Sequence, residues 1–502
     1  MPQNAGSSAT TGGLSRSARS LRHLIAGEWR TGDGDELVDV NPARLHEMVA
    51  AGRLAQDRGL DQAVDAAQDA FPRWAATPHH VRARVLDRAA DILDAHAEAW
   101  GEELSWEEGK TRAEGIGEVR RAAEILRYYV SEASRPAGEV FASPRSAEQI
   151  YVIHRPVGVI AVVTPFNFPV AIPAWKIAPA LSYGNVVVWK PAGLVPLLAV
   201  RLAEALVQAG LPEGVLSLLI GDGALGGRLV EHPGVDAVTF TGSTSVGRSL
   251  IAACGRLARP VQTEMGGKNA AIVLADAALE LAAGEVLAGA FHSTGQKCTA
   301  TSRLVVEEPV AEEFLALITK RASALRVGDP LEAGTDMGPV VSLKSRDEIQ
   351  RALDAGTTRA GVDLLTGGRP YDDDRMAGAF LQPTVVELAG EDPLWREELF
   401  GPVLSVRRAR DIQEAFSLAN DSDFGLSAAV FTDDLRAVAD ATEQVDVGVL
   451  HINSETSGAD PHVPFGGAKQ SAYGPKEQGR AAREFFTRTK TVYVRPSERK
   501  EQ

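Results

Sequence analysis

The chain has 502 residues, 44% of them hydrophobic and 24% charged, proportions that suit a soluble globular protein of two or three domains. Its formal net charge of −15 argues against a nucleic-acid binder, because phosphate contact needs a basic face. Cys254 and Cys298, the only cysteines, are too few for a disulfide framework or a zinc cluster, which points to a reducing compartment and hence the cytoplasm.

The first 20 residues, MPQNAGSSATTGGLSRSARS, are rich in Ser and Gly and hold no acidic residue. That bias fits an organelle transit peptide or a disordered extension; a disordered tail over 1–21 is expected, with ordered chain from near Leu24. No apolar run approaches the roughly 20 residues of a membrane helix. Between Leu60 and Val130 apolar residues recur every three or four positions, which predicts helices. From about Val157 the rhythm changes. Short apolar runs (GVIAVVT, NVVVWKP, VLSLLIG, VDAVTFTG) alternate with helical stretches (AIPAWKIAPALSYG, LLAVRLAEALVQAG, STSVGRSLIAACG), the pattern of an α/β fold with a parallel sheet. A second α/β series starts at AAIVLADA and runs to about Phe465 through RLVVEE, TVVELAG, VLSVRRA and LSAAVFTDD. Gly266-Gly267 permits a hinge between the two series. The terminal TRTKTVYV alternates like an exposed strand whose edge needs covering by another subunit.

Residues 221–226, GDGALG, match G-x-G-x-x-G after a strand and before a helix. The acidic ribose ligand expected about 20 positions on is missing: Asp236 comes too early and Thr241 holds the place. A Gly-rich turn is therefore the better reading. FTGSTSVG, with Ser243 as N-cap, is the stronger phosphate candidate.

Cys298 lies in FHSTGQKCTATSR, beside Lys297 and among small residues that let a ligand approach. A thiolate needs access and a lowered pKa, and the oxyanion made by its attack on a carbonyl needs preorganised donors. The Cys298 backbone N–H can supply one, and Asn167, in the apolar, Pro-rich TPFNFPVAIP, another; an Asx-turn asparagine is the plainer reading. Glu264, at a strand end in QTEMGGKN, is a candidate general base toward water, though position alone leaves an ordinary surface Glu open. Glu398, in REELFGPV, is a second carboxylate in apolar context. Lys190 ends the apolar strand VVWKPA, where open α/β sheets bind ligands. The ten histidines show no metal-ligand spacing, and no G-x-S-x-G elbow occurs.

Taken together, TPFNFP, VVWKPA, FTGSTSVG, EMGGKN, GQKCT, EELFGPV and PFGGAKQSAYG, in that order from about Leu24 to Val494, resemble the aldehyde dehydrogenase superfamily. The resemblance implies two Rossmann-type α/β domains plus a β oligomerisation arm. The dinucleotide-binding domain would take residues 22–137 and 158–265, the catalytic domain 266–465, and the arm 138–157 and 486–496. It implies oxidation of an aldehyde to a carboxylic acid. Cys298 would attack as thiolate, Asn167 and the Cys298 N–H would hold the oxyanion, and Glu264 would activate water on the thioester. Lys176 and Glu477 match proton-relay positions.

By the same resemblance NADP or NAD would lie against Thr164, Pro165, Phe166, Gly223, Phe240, Thr241, Gly242, Ser243, Val246, Met265, Gly266 and Phe400. Lys190 would meet the adenosine ribose and Glu398 the nicotinamide ribose. Many NAD-preferring members carry Glu three residues after the lysine; here that residue is Gly193. Ser245 likewise replaces a common Glu. Both changes remove carboxylates that would repel a 2′-phosphate, so NADP is placed ahead of NAD. Glu264 favours water over coenzyme A as acyl acceptor.

NFPVAIPAWKIAPAL, TGQKCTATSR and HVPFGGAKQSAYGPKEQG look most like the branch that oxidises α-ketoglutaric semialdehyde (2,5-dioxopentanoate). Succinate semialdehyde and aromatic aldehydes such as vanillin are the rivals, and a catalytically silent binding relative is the non-enzyme alternative. Lys297 and Arg155 are candidates for the substrate carboxylate, with Thr299 and Phe465 also near substrate. Lys297 equally fits a role in tuning the thiol or a place facing solvent. A homodimer or homotetramer is expected, with no nucleic-acid or membrane partner.

Overall fold

The computed structural model describes residues 17–132, 134–135, 137–371 and 376–496. Four helices follow the short strands that lie between Arg19 and Arg53. In the helix Asp57–Ala76 the buried residues are Leu60, Ala63, Val64, Ala67, Ala70 and Trp74, one apolar stripe at helical spacing. The helices His79–Ala95, Ala97–Glu108 and Arg112–Glu132 follow and pack on one another.

An eight-stranded sheet forms the first α/β layer. Five of its strands run parallel, in the order Val261–Glu264, Ala237–Thr241, Val159–Val163, Val186–Lys190, Leu216–Leu218. Val186–Lys190 is buried throughout, which explains its unbroken apolar run: helices cover both faces. The strands His23–Ile25 and Glu28–Arg30 extend one edge, and Ala472–Tyr473 joins the other antiparallel to Val261–Glu264. The chain thus returns to the first sheet after the second is complete, a crossing that local pattern could not show.

The second layer is a seven-stranded sheet. Asn269–Val273 lies near its centre between Thr301–Glu307 and Ser427–Phe431, all parallel, and Val362–Thr366 caps one edge antiparallel. The step between the two sheets is short, from Glu264 to Asn269.

A separate three-stranded antiparallel sheet combines Gly138–Phe141, Gln149–Pro156 and Thr487–Val494. Val140, Phe141, Tyr493 and Val494 are exposed on it.

The expected tail over 1–21 is corrected at its end. Arg19–Ser20 pairs with Met48–Arg53, and Leu21 is buried in the core, because its side chain has an apolar cluster to join. Residues 1–16 lie outside the described residues. The small sheet made by Arg19–Ser20, Met48–Arg53 and Glu36–Val40 has no counterpart in the sequence reading. Among the described residues no helix is long and apolar enough to cross a membrane, and no group of three or more His, Cys, Asp or Glu could hold a metal ion.

Candidate active site

Parallel register gathers the site. Val163 sits opposite Lys190 and Phe240, and Thr241 opposite Glu264. Four strands therefore end level, and their carboxyl ends form one rim, the edge at which open α/β sheets bind ligands. The chain leaves Val163 through residues 164–167 before entering the helix Ala171–Ser182.

A cleft of about 880 Å³ opens along this rim. Residues 164–167, Lys190, Gly193, Gly223, residues 240–243, Val246, Met265, Gly266, Glu398 and Phe400 line it, and so does Cys298. Gly226, Gly227, Ser245 and Glu348 line it too; Glu348 sits on the amphipathic helix Leu343–Thr357 and carries no motif that would have marked it.

The lining suits a dinucleotide. The cleft is at the large end of the range for ligand sites. Ser243 is the N-cap of the helix Thr244–Arg256, but its side chain caps no backbone N–H; its Oγ lies 3.4 Å from the Ser245 hydroxyl instead. This corrects the expected side-chain cap and leaves the first-turn N–H groups available to a phosphate. The GDGALG turn also reaches the cleft. Asp222 caps the helix Gly223–Glu231 by accepting the Leu225 N–H at 2.8 Å, which turns Gly223, Gly226 and Gly227 toward the cleft. Lys190 is buried, which lowers its pKa, while nearby Asp222 opposes that shift. Glu398 Oε1 accepts the Gly267 N–H at 2.9 Å. Burial raises the Glu398 pKa to about 7 against the pull of that N–H and of Lys268.

Cys298 lies where the two sheets meet. The turn before it is left-handed at Ser293, Thr294 and Gly295, with φ of 53°, 55° and 68°. Such backbone costs non-glycine residues energy and persists only under outside constraint. Glu114 supplies some, accepting the Ser293 N–H at 2.7 Å; Thr294 Oγ1 donates to the Gly338 carbonyl at 3.1 Å, and Val341 N–H donates to Gln296 Oε1 at 2.9 Å. The thiol pKa is pushed up to about 12 by burial, with Glu398 and Glu264 adding to it; the Thr299 and Cys298 N–H groups pull the other way. Asn167 is buried, and its Nδ2 donates to the Gln296 carbonyl at 2.9 Å, two residues from the nucleophile candidate.

Glu264 is buried at its strand end, and Oε2 accepts the Gly467 N–H at 3.1 Å. Burial holds its pKa well above the carboxylate norm, and nearby Glu477 adds to that; Lys176 and Lys476 oppose it. Lys176 Nζ pairs with Glu477 Oε1 and donates to Thr239 Oγ1 at 2.9 Å. Glu264, Lys176 and Glu477 thus form one buried charge cluster. Lys476, which donates to the Gly466 carbonyl at 2.6 Å, was not foreseen; it sits in a Gly-flanked stretch without a distinctive pattern.

Phe465 packs against Trp175, ring centres 5.7 Å apart, and the Thr299 carbonyl accepts the Thr456 hydroxyl at 2.7 Å. The two substrate-cation candidates fare differently. Arg155 is exposed on the strand Gln149–Pro156, opposite Arg488 in the separate three-stranded sheet, and is not among the residues around Cys298. Lys297 is buried, not solvent-facing. Its Nζ donates to Glu455 Oε2 and to the Ala288 carbonyl, each at 3.3 Å, and burial lowers its pKa. Any pull it exerts on the thiol is outweighed by burial. Lys110 and Glu118 were missed: Lys110 Nζ donates to Glu118 Oε2 at 2.6 Å and to the Asn167 carbonyl at 2.8 Å, buttressing the Asn167 loop from behind. Glu118 lies in a helix and Lys110 in the short turn before it, places where a charged residue reads as solvated.

Residues 29–492 match the model of the aldehyde dehydrogenase family. The α-ketoglutaric semialdehyde dehydrogenase of Bacillus subtilis is 39% identical over 478 residues, covering 94% of this chain and 98% of that relative. The α-ketoglutarate semialdehyde dehydrogenase of Haloferax volcanii is 40% identical over 479 residues, with 94% and 98% covered. Betaine aldehyde dehydrogenase of Staphylococcus aureus, solved in complex with NAD+, superposes with a TM-score of 0.91 at 30% identity, covering 94% of each chain.

Proposed function

The chain belongs to the aldehyde dehydrogenase family, and from that premise we propose that it oxidises α-ketoglutaric semialdehyde to 2-oxoglutarate. The observation that carries the chemistry is that Cys298 and Asn167 share the wall of a dinucleotide-sized cleft, with Glu264 close enough to act on the thiol. The substrate assignment is supported by the relatives from B. subtilis and H. volcanii.

Cys298 loses its thiol proton to solvent through the cleft it lines and attacks the aldehyde carbon as a thiolate, and Asn167 Nδ2, turned from the Gln296 carbonyl, and the Cys298 N–H receive the oxyanion. A bound nicotinamide dinucleotide supplies the hydride acceptor, held by Lys190, Glu398 and the open N-terminus of the helix Thr244–Arg256. The thioester left on Cys298 is hydrolysed by water that Glu264 deprotonates. A general base of raised pKa suits that step near neutral pH. The proton on Glu264 leaves through the Lys176–Glu477 pair, the buried charges at its back.

NADP is favoured over NAD because Gly193 and Ser245, both on the cleft wall, present no carboxylate to a 2′-phosphate. The exposed Val140, Phe141, Tyr493 and Val494 on the three-stranded sheet suit pairing with a second copy, hence a homodimer or homotetramer. Two unpaired cysteines suit the cytoplasm.

The test is kcat/KM for α-ketoglutaric, succinic and aromatic aldehydes with each cofactor. A preference for α-ketoglutaric semialdehyde is expected; a higher value for either rival overturns the substrate assignment.

A further inference from the structure

The cofactor cleft reaches Cys298 from the rim of the first sheet, so the aldehyde has to arrive from another side. The helix Arg112–Glu132 borders that side. Glu114 Oε1 accepts the Ser293 N–H, just before the nucleophile. One turn on, Glu118 Oε1 accepts the Val170 and Ala171 N–H groups at 2.9 and 3.1 Å, at the start of the helix that follows Asn167. Three residues further, Arg121 Nη2 reaches Asp460 Oδ1 at 3.4 Å, in the segment leading to Phe465. Positions 114, 118 and 121 share one helix face. That face runs from the nucleophile turn, past the Asn167 loop, to an arginine about 4.5 Å further along the axis.

Resting on the substrate reading above, we infer that Arg121 binds the distal carboxylate of the semialdehyde. Its guanidinium stays charged and offers a planar fork that matches a carboxylate. Its present partners hold it loosely: Asp460 and Glu124 are 66% and 60% exposed, and the Arg121 side chain is itself 30% exposed. Exposed pairs of this kind contribute little, so an incoming carboxylate can displace Asp460. Lys297 is the poorer reader, because it is buried and already held by Glu455 and the Ala288 carbonyl. Arg155 lies on another sheet.

The experiment compares kcat/KM for α-ketoglutaric semialdehyde with that for pentanal, a five-carbon aldehyde without the carboxylate, in wild type, Arg121→Met and Arg121→Lys. The ratio of the two is expected to fall about 10- to 100-fold in Arg121→Met, mostly through KM for the charged aldehyde. Arg121→Lys should recover most of it, which a packing role for the side chain would not produce. A wild-type enzyme with no preference for the carboxylated aldehyde overturns the substrate reading itself. A wild type that prefers it, with a ratio in Arg121→Met within about twofold of wild type, overturns the Arg121 assignment alone.

Discussion

Glu264 and Gly467 lie 203 positions apart, yet the Glu264 carboxylate accepts the Gly467 N–H at 3.1 Å. The contact exists because Ala472–Tyr473 returns to pair with Val261–Glu264, bringing the preceding glycine turn against the strand end. A methyl group on Gly466 would fall 2.4 Å from Glu264 Oε1, so the backbone approaches as only glycine allows.

If Glu264 activates the hydrolytic water, Glu264→Gln should leave thioester formation in place and stall its breakdown. Steady-state kcat is expected to drop about 10²- to 10⁴-fold. A stoichiometric burst of reduced cofactor should persist, with an acyl adduct on Cys298 visible by intact-protein mass spectrometry. Loss of the burst together with turnover would assign Glu264 to the first step instead.

The Cys298 thiol is pushed up to about 12, chiefly by burial, and Glu398 is one of the charges that add to this. Glu398 ionises near pH 7, so its charge opposes the thiolate only above that pH. Alkylation of Glu398→Gln by iodoacetamide should therefore outpace wild type by about 2- to 10-fold at pH 9. The two rates should converge toward pH 6, where Glu398 is protonated. Equal rates at pH 9 would show that burial alone sets the thiol.

Gly193 has no left-handed backbone, and a Cβ added there would meet only the Gly221 carbonyl, at 3.8 Å. Gly193→Glu should therefore fold and present a carboxylate to the adenosine ribose. The NADP-to-NAD ratio of kcat/KM is expected to fall about tenfold or more. An unchanged ratio would place the 2′-position away from residue 193.

Away from the site, buried Asp39 is hydrogen-bonded to Glu107, which accepts the Leu197 and Leu198 N–H groups at the start of the helix Leu197–Gln208. Burial raises Asp39 to about 8. The folded chain thus holds a proton that the unfolded chain, with Asp near 3.9, releases. Stability from this group is full below about pH 4 and is lost as pH rises toward 8. Asp39→Asn, which needs no proton, should gain in Tm over wild type across that window, as read by thermal unfolding at successive pH values. A constant Tm difference would mean that Asp39 is already ionised in the folded state.

Much was legible in the sequence because it is local. Unbroken apolar runs such as VVVWK mark strands buried on both faces, and a polar Lys190 closing such a run marks a rim. Asn167 in an apolar loop, Glu264 at a strand end and Cys298 among small residues stand out for the same reason: each breaks the pattern around it. Partnership is not local. Only the tertiary structure decided that Lys297 is spent on Glu455, that Arg155 belongs to another sheet, and that Glu114, Glu118 and Arg121 share a face turned toward the turn before Cys298, the Asn167 loop and Asp460. A charge in a sequence has no fixed counter-charge; its partner and its exposure arise when distant segments pack, and these determine whether it tunes, binds or merely satisfies a neighbour.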